Sequence, residues 1–275
     1  MDWPERGPGA TNVQQEQQHC RRLAESIATA LRQDRVLFAF QPVVCVATGE
    51  IDYFECLLRV REESGAIRAG SEFIAALEAQ GTIGMIDHRV LDMAFGELAR
   101  HPGVKLGFNI SGLTACDRIW LRHFVSVLRR FPEMAPRLVV EITETAALSD
   151  LEESARFVDT VRATGCRVAL DDFGAGHTTL RHLQYLAIDT VKLDGSLVRF
   201  VEANPTHRGV LRHLVGLARS IGFRLVAEGV ESEEDVALLC AEGISYLQGY
   251  HFGRPTIERV WLADPVPRAA ALRVR

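Results

Sequence analysis

In RVALDD, residues 167–172, a strand-like apolar run closes on two consecutive carboxylates, Asp171 and Asp172. The pattern recurs along the chain. LVVEITE (138–144) carries Glu141 and Glu144, TVKLD (190–194) ends at Asp194, and RLVAE (224–228) ends at Glu228. A further run, VKLGFN (104–109), ends in the carboxamide of Asn109. Apolar, β-branched runs of this length read as buried parallel strands. Acidic side chains enter a core only when paired, hydrogen-bonded or bound to a cation. Carboxylates at equivalent strand ends gather at one mouth of a sheet or barrel, and that arrangement points to a divalent-metal site.

Working outward, strands alternate with helical segments. VLFAFQPVV (36–44) and IDYFECLLRV (51–60) form an expected antiparallel hairpin across a turn-like ATGE. SEFIAALEAQ (71–80) and MIDHRVLDMAFGELARH (85–101) read as helices, and from VKLGFNIS onward each strand is followed by a helix, TTLRHLQYL (178–186) among them. Repeated βα units predict a parallel sheet with right-handed crossovers. From Asn109 onward the polar residues recur roughly 20 to 34 positions apart, about one βα unit of a closed barrel. Eight strands are countable, the first running against the rest. The expectation is an α/β fold, a modified (β/α)8 TIM-type barrel with one antiparallel strand and its active face at the C-terminal strand ends. An open doubly wound sheet would not bring all the strand ends around one centre.

Residues 1–12 are polar and rich in Gly and Pro, and are expected to be disordered. Residues 13–34 form an expected amphipathic helix, with Leu23, Ile27 and Leu31 along one stripe. This helix would pack across the end of the main domain or serve as a coiled-coil stub. The main domain spans 35–262, and 263–275 form a tail. A net charge of −5 gives no electrostatic footprint for duplex nucleic acid. Six scattered cysteines without a CxxC pair read as reduced thiols. No apolar stretch is long enough to span a bilayer, and the N-terminus lacks a signal peptide's apolar core, so the cytoplasm is the expected location.

Glu55, Asn109, Glu141, Asp171, Asp172 and Asp194 are all oxygen donors, and no HExxH or His/Cys spacing suggests zinc. Oxygen-only ligands favour Mg2+ or Mn2+, and so many acids allow two ions. Lys192 shares its strand face with Asp194 by period-two alternation, and Arg59 shares one with Glu55. Lys192 would hold a nucleophilic water or neutralise phosphoryl charge; Arg59 would bind a phosphate bidentately. Asp-Phe-Gly at 172–174 matches the kinase triplet by chance, since the HRD and GxGxxG loops are missing. Gly174 and Gly176 let that loop turn over a ligand. His177 reads as an ordinary loop histidine, there being no identifiable partner for a general base. Gln41 and Gln248 sit where strand ends offer amides to a purine edge.

At these residues the chain resembles the EAL-domain family, the bacterial cyclic-di-GMP-specific phosphodiesterases. The naming tripeptide reads Glu55-Cys56-Leu57, followed by Leu58-Arg59. FQPVV, FNIS, EITE, DDFGAG, VKLDGS, VAEGVE and QGYHFGRP correspond to family blocks in order, over about residues 35–262. The resemblance implies hydrolysis of cyclic-di-GMP to linear 5′-pGpG by metal-activated water. It assigns Glu55, Asn109, Glu141, Asp171, Asp172 and Asp194 to the metals, and Glu228 to the metal site or to the base, with Lys192 assisting the water. It further implies that Glu144 anchors the DDFGAG loop and that Glu231 supports the site from behind. Gln41, Leu57, Arg59, Asn109, Asp172, Glu231 and Gln248 are implied to contact or border the dinucleotide. A homodimer and a regulatory protein partner are also expected on this ground. Three departures stand out: Cys56 for the usual alanine, His177 for a common tyrosine, and Thr178-Thr179 for common serines. The alternative these leave open is a catalytically weak or inactive cyclic-di-GMP receptor or docking domain.

Overall fold

In the computed structural model of the protein, the described residues are 9–174, 183 and 185–263. His177, Thr178, Thr179 and most of the expected TTLRHLQYL helix lie outside them. Nine strands form one sheet: β1 (Val36–Cys45), β2 (Glu50–Arg61), β3 (Ile67–Ala69), β4 (Leu106–Ile110), β5 (Leu138–Thr143), β6 (Arg167–Phe173), β7 (Thr190–Leu193), β8 (Arg224–Ala227) and β9 (Tyr246–Gln248). Their order is β1-β9-β8-β7-β6-β5-β4-β2-β3, and the β1–β2 pairing closes a barrel of eight. β1 is antiparallel to both its neighbours, as expected, while β2 and β4 through β9 run parallel. The short β3, absent from the sequence reading, pairs with the overhanging end of β2 outside the barrel.

The helices are α1 (Gly9–Arg32), α2 (Ile74–Ala79), α3 (Ile83–Arg100), α4 (Gly112–Ala115), α5 (Arg118–Arg130), α6 (Glu144–Ser149), α7 (Leu151–Ala163), α8 (Gly195–Ala203), α9 (Pro205–Ile221) and α10 (Glu233–Ala241). Helix α1 begins ahead of the expected residue 13, because Ala10-Thr11-Asn12 contains no helix breaker and extending a formed helix is cheap. Ala24, Ile27 and Ala30 bury its inner stripe in the main core, with Leu23 and Leu31 packed at the margins. It packs on α2 and β2, which favours the first of its two readings. No described helix is long and apolar enough to cross a membrane, and all six cysteines are unpaired.

Strand periodicity builds two cores. Residues such as Val140, Ile142, Val168, Leu170, Val191 and Leu225 face outward into the large core beneath the helices. The alternate set faces the barrel axis, where Val43, Tyr53, Val139, Ala169 and Val226 form a small inner cluster. Two residues further along the same inward rows stand Gln41, Glu55, Glu141, Asp171 and Glu228. The barrel interior is therefore apolar low down and polar at the mouth, which is how a soluble chain carries carboxylates into its centre.

Candidate active site

The inward rows converge on Lys192, whose side chain is fully buried. Its Nζ lies 2.7 Å from Glu141 Oε2, 2.7 Å from Glu228 Oε1, 3.1 Å from Glu55 Oε2 and 3.1 Å from Asp171 Oδ1. Among the described residues it is the one cation within ion-pair distance of these four carboxylates. An ammonium has three N–H donors and one charge, so it can satisfy neither the hydrogen bonding nor the charge of all four. Asp171 and Asp172 both reach the mouth although they are consecutive. The β6–β7 register slips between Leu170 and Phe173, and Asp172 adopts φ +57°, a left-handed conformation that costs a non-glycine residue energy and recurs at functional sites. One oxygen each from Glu55, Glu141 and Asp171 fall within 4.8 Å of one another, and so do oxygens from Asp171, Asp172 and Glu228.

Amides tie down the rest of Glu55. Asn109 Nδ2 donates to Oε1 at 2.8 Å and Gln248 Nε2 to Oε2 at 2.6 Å, while Gln248 also reaches Gln41 Oε1 at 3.2 Å. Gln41 in turn donates to the Gly253 carbonyl at 3.2 Å. Both glutamines are buried and border the cavity; the two donations of the Gln248 amide go to Gln41 and Glu55 while it lines the site. Glu144, also buried, accepts from the Gly174 amide at 3.1 Å and thereby holds the start of the loop after β6. Gly229, at φ +67°, lets the β8 end pass the β7 end: a Cβ there would meet Gly195 Cα at 3.1 Å.

Charge and burial oppose each other here. Burial would lower the Lys192 pKa, but the surrounding carboxylates hold it well above its ordinary value. Burial and like-charged neighbours push Glu141, Asp171, Asp172 and Glu228 up, against the pull of Lys192. Glu55 is the exception: burial raises it, yet Lys192 and the two amides outweigh that and hold it below the usual carboxylate range. The mouth is short of positive charge. It is also short of donors, since the buried Asn109 Oδ1, Glu141 Oε1, Asp171 Oδ1 and Gln248 Oε1 accept no hydrogen bond. The Asp171–Lys192 contact is close but poorly aligned. Unsatisfied oxygen acceptors around an excess of carboxylates fit hard divalent cations.

A cavity of about 720 Å³ opens over these groups, bordered by Leu57, Arg59, Asp172, Glu228, Glu231 and Tyr250 among others. The structure brings the expected site residues to the acid clusters or the cavity wall, except Glu144, which sits behind the loop after β6, and Asp194. Asp194 stands outside both acid clusters: its Oδ1 accepts from the Ser196 amide at 2.8 Å and from the Ser196 hydroxyl, opening α8. It remains close enough to raise the Asp172 pKa. Glu231, expected behind the site, is exposed at the cavity margin, and its amide binds Asp235 at 2.9 Å. Tyr250 and Asp87 are among the bordering residues that were not anticipated. Tyr250 is half-exposed, with the Arg254 guanidinium 4.1 Å from its ring centroid. Asp87, on the buried stripe of α3, accepts from the Ser111 amide at 3.1 Å, the Ser111 hydroxyl at 2.6 Å and the Thr114 hydroxyl. It fixes the turn that follows Asn109. A carboxylate among Ile83, Ile86, Val90 and Leu91 was its signal in the sequence.

An eight-stranded barrel with one antiparallel strand and an acidic, lysine-centred mouth defines the class of barrel protein to which this chain belongs. The EAL domain model matches residues 24–255, and the chain belongs to that family. The chain is 31% identical over 237 residues to the probable cyclic di-GMP phosphodiesterase PdeA of Escherichia coli, covering 85% of this chain and 32% of that one. It is 27% identical over 239 residues to the cyclic di-GMP phosphodiesterase NbdA of Pseudomonas aeruginosa, covering 85% and 30%. It thus spans about a third of the length of these relatives. Among solved structures, the PaMucR phosphodiesterase in its c-di-GMP complex superposes with a TM-score of 0.77 at 26% identity, covering 86% of this chain and 97% of that one. The FimX EAL domain of Pseudomonas aeruginosa shares the fold, with a TM-score of 0.79 at 24% identity over 86% of this chain and 97% of that one.

Proposed function

We propose that this chain hydrolyses cyclic-di-GMP to linear 5′-pGpG, using Mg2+ or Mn2+ held in the barrel mouth. The observation that carries the reading is the inward set Glu55, Asn109, Glu141 and Asp171 around a single buried ammonium. Those four, with Asp172, would hold the ions. Divalent cations there supply Lewis acidity toward a phosphoryl oxygen and a lowered pKa for water.

The chain's own groups account for the remaining work. Arg59, at the cavity wall, binds a phosphate oxygen by a charge-assisted hydrogen bond. Leu57 and Tyr250 offer apolar surface to a guanine base. Lys192 keeps Glu228 and Asp171 oriented and offsets charge that grows on the phosphoryl group. Glu228 borders the cavity and accepts the proton of the attacking water at its carboxylate. Water oxygen bonds to phosphorus as the P–O3′ bond breaks, the 3′-oxygen takes up a proton from solvent water, and Glu228 returns the proton it accepted to solvent. The same reading includes a cytoplasmic homodimer, checked by sedimentation of the purified chain.

Incubating the folded protein with cyclic-di-GMP and Mg2+ or Mn2+, then resolving products by chromatography, tests the activity. Linear pGpG is expected, and its formation should be abolished in Glu55→Ala. Tight binding without any linear product would make the domain a receptor and overturn the enzymatic reading.

A further inference from the structure

Beneath the carboxylates, Tyr53 is the one large side chain of the inner cluster, and its hydroxyl is fully buried without a hydrogen-bond partner. Glu141 Oε1 is in the same condition: its sister oxygen engages Lys192, while Oε1 accepts nothing. The two lie on either side of one small space. A Cβ added to Gly107 would fall 2.5 Å from Glu141 Oε1 and 2.6 Å from Tyr53 Cε2. Gly107 pairs with Glu55 across β2 and β4, and stands two residues before Asn109 on the inward row. The absence of its side chain is what admits the tyrosine ring and the carboxylate together. The ring is also held from below, with the Arg167 guanidinium 5.6 Å from its centroid and anchored at 2.9 Å to Asp52.

A buried phenol and a buried carboxylate oxygen, each unpaired, are costly separately and complementary together. We propose that Tyr53 is a positioning residue for Glu141, its hydroxyl donating to Oε1 so that the carboxylate keeps a fixed orientation as a cation ligand, with Gly107 as the space that makes this possible. The pull of Glu141 on the phenol, which together with burial holds the Tyr53 pKa well above its ordinary value, agrees with that contact. The inference rests on Glu141 being a metal ligand. Groups that orient ligands from behind typically tune metal affinity by 10- to 100-fold.

The test is calorimetric titration of the full chain with Mn2+ alone, without substrate. Tyr53→Phe keeps the ring and the fold, and is expected to weaken Mn2+ binding about 10-fold while the metal-free melting temperature stays near that of the parent. Gly107→Ala should weaken binding in the same direction. Mn2+ should perturb the near-ultraviolet tyrosine signal of the parent, and this response should vanish in Tyr53→Phe but persist in Tyr246→Phe. Parent-like Mn2+ affinity in a folded Tyr53→Phe protein would overturn the positioning role and leave the metal site standing. Failure of the parent to bind Mn2+, or undiminished binding in Glu55→Ala, would overturn the metal reading and this inference with it.

Discussion

The two ends of the barrel carry opposite charge imbalances, and only one of them has its central pair shut off from water. At the mouth, four carboxylates surround Lys192, and the side chains of Lys192 and Glu141 are 0% exposed. At the base, Asp52 meets Arg167 at 2.9 Å, Arg224 at 3.4 Å and Lys105 at 3.8 Å, so cations outnumber the carboxylate. There Arg224 and Lys105 are 39% and 47% exposed, and water screens the surplus. Arg167 and Arg224 also rest against the rings of Tyr53 and Tyr246. A surplus open to solvent costs little, whereas one centred on fully buried groups must be resolved by pairing, protonation or a bound ion. The position of the imbalance, more than its sign, separates a candidate catalytic end from a structural one.

The strongest way to break this contrast is to remove the central ammonium. Lys192→Met should eliminate hydrolysis and, in metal-free protein, destabilise the fold by about 3–5 kcal/mol, the usual cost of stripping one partner from a buried ion pair. Added Mn2+ should recover part of that loss by binding the folded state alone. Thermal unfolding with and without Mn2+ checks both statements. A variant as stable as the parent without metal would show that Lys192 does not hold the buried carboxylates together. Next in size is Arg59→Ala, which removes a cavity-wall cation without touching the buried cluster. It should lower kcat/KM about 10- to 100-fold, corresponding to a lost charge-assisted hydrogen bond of about 1.5–3 kcal/mol. Its melting temperature should be unchanged, and steady-state kinetics beside a melting curve separates the two effects.

The contrast was half legible in the sequence. Runs such as RVALDD and RLVAE showed strands ending in acids, and the period of two placed Glu55 with Arg59 and Lys192 with Asp194. Periodicity names a face but not the depth along it. Lys192 therefore emerged as the buried hub, while Asp194, past the last β7 residue, turned to cap α8 through Ser196. Asp171 and Asp172 broke the alternation outright, because a register slip and a positive φ brought neighbours to one side. Gln41 and Gln248 were placed at the site, but the hydrogen bonds of Gln248 to Gln41 and Glu55 depend on β9 pairing with β1, from which it is distant in sequence. The Tyr53–Gly107 fit was hidden for the same reason. The base of the barrel gave no signal, since Asp52, Arg167 and Arg224 look like ordinary strand-flanking charges until the barrel closes.

Sharpening the contrast requires a perturbation at the base. Asp52→Asn removes the carboxylate that pairs with Arg167, Arg224 and Lys105; the exposure of Arg224 and Lys105 limits their share, and the 2.9 Å Arg167 pair carries most of a cost of about 1–3 kcal/mol. The melting temperature should fall by a few degrees, while Mn2+ affinity and kcat/KM remain at parent values. A tenfold loss of activity would show that charge at the base reaches the mouth.

A third ion cluster lies between these extremes. Glu97 on α3 accepts from Arg259 Nε at 2.8 Å and from Arg259 Nη2, fastening the C-terminal end of the domain. The Glu97 side chain is 7% exposed and that of Arg259 41%, so the pair is sealed on one side only. Burial alone would raise the Glu97 pKa, yet the Arg259 hydrogen bond and charge, with Arg100 and His101 beside it, hold it below the ordinary carboxylate value. A carboxylate depressed in the folded state stabilises the protein above its unfolded pKa and loses that contribution as pH falls through the folded one. The stabilisation should therefore be intact above about pH 5 and fade through roughly pH 4 and below. Glu97→Gln should lower the melting temperature at neutral pH by no more than a few degrees, and the gap to the parent should close on acidification. A gap that stayed constant with pH would assign the effect to packing around Arg259 instead of to charge, and would place this cluster with the screened base of the barrel.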